Sequence, residues 1–77
     1  MKVAILGPGC PKCKATEKAV RQAVEELGVE ATIYKVEDIR EIMGFRVMLT
    51  PAVVIDDEVK IAGRVPTVEE VKSLIGL

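Results

Sequence analysis

The apolar positions of this chain change period along its length, and each change marks an element. Val3-Ala4-Ile5-Leu6 is a continuous apolar run, the pattern of a strand covered on both faces. From Cys10 to Leu27 the period becomes helical. Ala15, Ala19, Val20, Ala23, Val24 and Leu27 recur on one side, while Lys14, Lys18, Arg21, Gln22, Glu25 and Glu26 take the others, and Gly28 stands where a helix C′ residue belongs. The alanines on the buried side permit close approach to a sheet. Ala31 to Val36, with Thr32, Ile33, Tyr34 and Val36, is β-rich and reads as a second strand. A strand, a helix and a strand in succession imply a right-handed parallel βαβ unit.

The second half alternates faster. Asp38 with Glu41 predicts a capping box that opens a short helix, stopped by Gly44. Phe45 to Leu49 connects to Thr50-Pro51, after which Ala52 to Ile55 is a third strand, Asp56-Asp57-Glu58 a turn and Val59 to Ala62 a fourth strand. Their nearness requires an antiparallel hairpin, although the turn lacks the usual glycine. Gly63-Arg64 ends that strand. Thr67 with Glu70 predicts another capping box, and Val68, Val71, Leu74 and Ile75 give a last helix its buried stripe before Gly76. The order is βαβαββα, an α/β class with a mixed four-stranded sheet between helices, expected to form a single domain over 1–77.

At the first junction lies Gly7-Pro8-Gly9-Cys10-Pro11-Lys12-Cys13, which holds both cysteines of the chain. The glycines let the backbone turn and leave its amides exposed. Cys10 falls at the first turn of the helix, where unsatisfied N–H groups favour a thiolate over a thiol. Pro11 follows at a position where a helix tolerates proline. Lys12 adds positive potential, or is an ordinary solvated lysine. Cys13, three residues on along the same face, can reach back to Cys10. That is the geometry of a reversible dithiol/disulfide, and the Cys10-Cys13 disulfide is the redox group to be expected, with no further cofactor.

Composition narrows the alternatives. Eleven basic and twelve acidic residues give a net charge of -1, so no basic surface marks nucleic acid or an anionic membrane as the main partner. After Met1-Lys2 only four apolar residues precede Gly7, too few for a signal-peptide core or a span, which makes the cytoplasm the default compartment. Two cysteines so close in sequence close too short a loop to staple a fold. In a reducing compartment they point to redox chemistry or to metal. A metal site stays open as the second reading: two sulfurs are half of a tetrahedral zinc site, no histidine completes it, and copper(I) with its two soft ligands fits better.

With Gly9-Cys10-Pro11-Lys12-Cys13 after the first strand, Thr50-Pro51 before the hairpin and Gly63-Arg64 after it, the whole chain resembles the thioredoxin-like superfamily. It is most similar to the small glutaredoxin-sized redox-active disulfide proteins of archaea and bacteria. The resemblance implies a sheet ordered 2-1-3-4 and a protein disulfide oxidoreductase with Cys10 as nucleophile and Cys13 as resolving thiol, tuned by Pro11 and Lys12. It also implies a cis Pro51 opposite the dithiol, and Gly9, Thr50, Pro51 and Gly63 around the substrate chain. Partners would be a protein disulfide and a reductase. Glutathione fits less well, because Ala62-Gly63-Arg64-Val65 stands where glutaredoxins carry Gly-Gly and an acidic pair. The aspartate that thioredoxins bury has no counterpart in Val3 to Leu6. Phe45, Met48 and Leu49 read either as an apolar rim for a partner or as core, and Arg64 either as solvated or as a partner for a substrate carboxylate.

Overall fold

The computed structural model describes residues 1–9 and 11–76, so expectations that rest on the placement of Cys10 lie outside the described residues. The elements follow in the order β1 (Lys2–Leu6), α1 (Pro11–Leu27), β2 (Thr32–Val36), α2 (Ile39–Gly44), β3 (Ala52–Ile55), β4 (Glu58–Ala62) and α3 (Val68–Ile75). The four strands form one sheet in the order β2-β1-β3-β4. β1 pairs with β2 in parallel and with β3 in antiparallel, and β3 and β4 make the hairpin. Several ends differ from the pattern by one residue. Lys2 joins β1, Ala31 stays outside β2 and Glu58 joins β4 as the partner of Ile55.

The unbroken apolar run of β1 divides between two cores. Val3 and Ile5 face one side, where they meet Val53, Ile55 and Ile61 of the sheet, Val20 and Ala23 of α1, and Val71 and Ile75 of α3. Ala4 and Leu6 face the other side, with Val36, Ala52 and Val54, beneath Ile42 of α2 and Val47. A strand needs apolar residues at every position only when both faces are covered. β1 and β3, the two inner strands, are the strands that meet this condition, and β3 is buried along its length.

Local chemistry sets the turns and caps. Asp56 and Asp57, with φ of 48° and 68°, form the two-residue turn between β3 and β4. Two successive positive φ values define the primed turn that matches strand twist, and aspartate is among the few side chains that tolerate them. The Asp56 carboxylate is held there by the Lys2 N–H at 2.9 Å. Asp38 caps α2 by accepting from the N–H of Arg40. This corrects the expected box with Glu41: an aspartate oxygen two residues upstream closes the shorter ring of an Asx turn. Gly44 is the last residue of α2 and Phe45 its cap. Thr67 and Glu70 do form the reciprocal box at α3.

Arg64 is neither merely solvated nor open to a substrate carboxylate. Its two terminal nitrogens donate to the two oxygens of Glu70 at 2.8 and 2.6 Å. This guanidinium, helped by the Thr67 N–H, pushes the Glu70 carboxyl from its ordinary 4.5 down to about 2. A carboxyl whose folded value is depressed contributes stability that is complete above its unfolded value and lost as pH falls through the folded one. Glu70→Gln is therefore less stable than the parent at pH 6, and the difference closes as pH falls from about 4.5 to about 2. Urea midpoints measured across that interval check it. Because both groups are exposed, the effect is small and shrinks further in salt.

Candidate functional site

β1 ends at Leu6, and the chain turns through Gly7, Pro8 and Gly9 before α1 begins at Pro11. Gly9 adopts a φ of 89°, a conformation glycine takes without steric cost. Pro11 opens the described part of the helix, where its missing N–H leaves no bond unmade. Cys13 lies in the first turn on the buried side of α1 and is 6% exposed. One turn on, the fully buried Thr16 donates its hydroxyl to the Lys12 carbonyl at 2.8 Å and so satisfies its own polar atom inside the core. Lys12 itself is exposed.

The Thr50–Pro51 peptide bond is cis. Pro51 is fully buried, Thr50 is exposed, and the Pro51 carbonyl accepts from the N–H of Gly63 at 2.9 Å. Gly63 has a φ of 84°, and a Cβ there would stand 3.1 Å from two carbons of Leu49. It therefore supports the segment that carries Thr50 and Pro51 from behind. Gly7 joins this segment to the cysteine turn. A Cβ built on Gly7 would overlap the Cys13 sulfur and lie 4.0 Å from Cβ of Thr50. The structure thus brings Gly7, Gly9, Cys13, Thr50 and Pro51 to one end of β1 and β3, and leaves Lys12 pointing to solvent.

Two concave surfaces flank this point. One is a small cavity of about 120 Å³ between β1, α1 and the end of β2, lined by Gly7, Gly9 and Cys13 together with Lys14, Glu17, Lys35 and Glu37. Glu17 is only 19% exposed; Arg21 donates to it at 2.9 Å and Lys35 stands 3.6 Å away. The hydrogen bond from Arg21, against the opposing effect of burial and aided by the charge of Lys35, holds the Glu17 carboxyl below the ordinary range. The Glu37 carboxylate approaches Gly9, 3.1 Å from where a Cβ would stand. The spacing of Glu17 four residues after Cys13 places both on one face of α1 and was a usable signal for this cavity. Lys35 and Glu37 carried none, since only the pairing of β2 with β1 brings them here.

The other surface is an apolar groove of about 340 Å³ bounded by Pro8, Ile39, Met43, Val47, Met48 and Thr50. Met48 is 96% exposed, and Ile39, Met43 and Leu49 are each more than 60% exposed. Phe45 is half-buried against the core under α2, so of the expected rim Met48 and Leu49 face outward and Phe45 packs inward. Tyr34 lies on the edge strand β2, away from both cores.

Among the described residues there is no group of three or more His, Cys, Asp or Glu placed to hold a metal ion, and no helix is long and apolar enough to cross a membrane. Over residues 1–76 the sequence matches the profile of the thioredoxin domain. A thioredoxin of Methanocaldococcus jannaschii is 49% identical over 70 residues, which cover 91% of this chain and 80% of that protein. A thioredoxin of Methanothermobacter thermautotrophicus is 39% identical over 75 residues, 97% of each chain.

Proposed function

The chain belongs to the thioredoxin family and is a thiol-disulfide oxidoreductase, and from that premise we propose that Cys10 is its attacking thiol, Cys13 its resolving thiol and protein disulfides its substrates. The observation that carries this reading is the meeting of Cys13, Gly7 and Thr50 at the end of the sheet, beside an apolar groove. A buried sulfur one helical turn from Cys10 in sequence suits the second step, which is intramolecular. Cys10, which precedes the helix, suits the first. The exposed methionine and leucine surface suits a polypeptide, because adaptable apolar side chains receive varied sequences.

In this reading the Cys10 thiolate attacks one sulfur of the target disulfide, and the other target sulfur leaves as a thiolate. Cys13 then attacks Cys10, expelling the second target sulfur and closing the Cys10–Cys13 disulfide. Two electrons pass from the dithiol to the target, and a reductase must return them. Proximity drives the second step, since a thiol three residues away in the same chain acts at a high effective concentration. Pro11 and the helix start favour the Cys10 thiolate, and Lys12 adds a screened, solvent-side charge. After β4, Arg64 is engaged by Glu70 and Lys72 by Glu26, so the described cations there are already paired, which favours the protein substrate over glutathione. The reducing cytoplasm is the compartment that fits this chemistry.

Trapping tests the assignment. Cys13→Ser incubated with a protein disulfide accumulates a covalent adduct that thiol reductant releases, whereas Cys10→Ser accumulates none. Equal trapping by both variants would refute the assigned roles. Titration of the reduced protein with copper(I) gives a further check, since tight stoichiometric binding would favour a metal carrier instead.

A further inference from the structure

We propose that Gly7 is the positioning residue for the resolving thiol, leaving by its lack of a side chain the volume in which the Cys13 sulfur sits. This rests on the roles given above to the two cysteines. Gly7 needs no glycine conformation: Gly9, Gly28 and Gly63 are the described glycines with positive φ, and Gly7 is not among them. What it supplies is space. A Cβ there would overlap Sγ of Cys13 and stand 3.2 Å from its Cβ, so the sulfur occupies the volume that any other residue would fill.

Neither backbone can yield easily. The Gly7 N–H donates to the Val36 carbonyl at 2.9 Å, which continues the β1–β2 ladder by one residue. Thr50 is in ordinary van der Waals contact with the same space, its Cβ 4.0 Å from a Cβ at Gly7. Cys13 is fixed by α1, whose buried Val20 and Ala23 anchor the helix on the sheet and on α3. Between a strand end and a packed helix, the part cheapest to move is the χ1 torsion of Cys13. A methyl at position 7 therefore turns the sulfur out of its seat and leaves the rest in place.

The two half-reactions should then separate. Attack by Cys10 on the target disulfide does not use Cys13. Resolution does: Cys13 loses its proton, its sulfur bonds to Cys10, the bond from Cys10 to the target breaks, and the target leaves as a thiolate that takes up a proton. A displaced attacking atom slows such a step steeply, about a hundredfold for an error near 1 Å. Gly7→Ala is expected to form the mixed disulfide at the parent rate and to resolve it about a hundredfold more slowly, so that it accumulates the adduct as Cys13→Ser does.

The experiment follows both steps by rapid mixing and acid quench with a protein disulfide, using the parent, Gly7→Ala, Cys13→Ser and Gly44→Ala. Gly44 has nothing within 4 Å of a Cβ and serves as the silent glycine control. A Gly7→Ala variant that resolves at the parent rate while Cys13→Ser traps would overturn the proposal alone. Absence of any adduct with Cys13→Ser would overturn the assignment of the cysteines and this proposal together. Urea unfolding supplies a second reading that tolerates weak folding: the loss of stability caused by Gly7→Ala should shrink markedly in a Cys13→Ala background, which removes the overlapping sulfur and keeps only the 3.2 Å approach to Cβ. A loss that is the same in both backgrounds would show that the sulfur is not what position 7 accommodates, and would equally overturn it.

Discussion

Val53→Asp is expected to abolish the folded state at 25 °C, while Val59→Asp, six residues on in the same hairpin, leaves it intact. Val53 lies in the inner strand β3 with no exposed surface, paired with Ile5 of β1 and Ile61 of β4 and facing Val20, Ala23 and Val71 from the helices. No cation or donor in that cluster could pair with a carboxylate. Burying an unpaired charge costs at least several kcal/mol even when the group escapes by taking up a proton. A chain of this length has a total stability of only about 4–12 kcal/mol. Val59, on the outer strand, is 40% exposed and would keep the carboxylate in water. Val53→Ala gives the scale: removal of two methyl groups from a closed site costs about 2 kcal/mol, which lowers the melting temperature by roughly 8–16 °C in so small a domain. Far-ultraviolet circular dichroism against urea distinguishes the three. A Val53→Asp protein that unfolds at the parent midpoint would show that the sheet's core face is wrongly assigned.

The same positions explain what could be read in the chain before its fold was known. Val3 to Leu6 and Ala52 to Ile55 are apolar without a break because both faces of those strands are covered, and this signal is local. The stripe of Ala19, Val20 and Ala23 and the Thr67–Glu70 box are local too, since a helix brings residues three and four apart together whatever lies around it. The hairpin turn was harder. Asp56 and Asp57 do the work usually given to glycine, and the Asp56 carboxylate accepts from the Lys2 N–H, more than fifty residues upstream. Arg46, with a φ of 61°, carries no sequence mark at all.

At the site the division is sharper. The cysteine turn is contiguous in sequence, so its chemistry was legible from residue types and spacing. The relation of that turn to Thr50 and Pro51 came from family resemblance, because nothing in the thirty-six intervening residues fixes where the chain returns. Gly7 looked like one more turn glycine, yet its contact is with a helix residue six positions later and with Thr50 across the sheet end. Arg64 looked like an unengaged cation. Its partner was already visible in the Thr67–Glu70 box, and only the path of the chain after β4 turns the guanidinium back onto that carboxylate.

Lys35→Glu is expected to slow resolution of the mixed disulfide by about tenfold at neutral pH, and Glu17→Lys in the same chain to restore much of the rate. The small cavity beside Cys13 has two cations, Lys14 and Lys35, and two carboxylates, Glu17 and Glu37, with Arg21 bonded to Glu17 from outside. Lys35 and Cys13 line the same small cavity, so the sign of the charge at position 35 contributes to the field at the sulfur. Lys35 is half exposed and solvent screens part of that. Reversing its charge replaces attraction for a developing thiolate with repulsion, and leaves Glu17 facing another carboxylate at its former ion-pair contact. The thiolate fraction at Cys13 falls, and the higher nucleophilicity of the more basic thiolate recovers only part of the loss, leaving roughly a factor of ten. The deficit should narrow as pH rises and the variant's thiol ionises. Single-turnover release of the target thiol from a preformed mixed disulfide, between pH 6 and pH 10, measures it. A rate at pH 7 indistinguishable from the parent would mean that the charges lining this cavity do not act on Cys13.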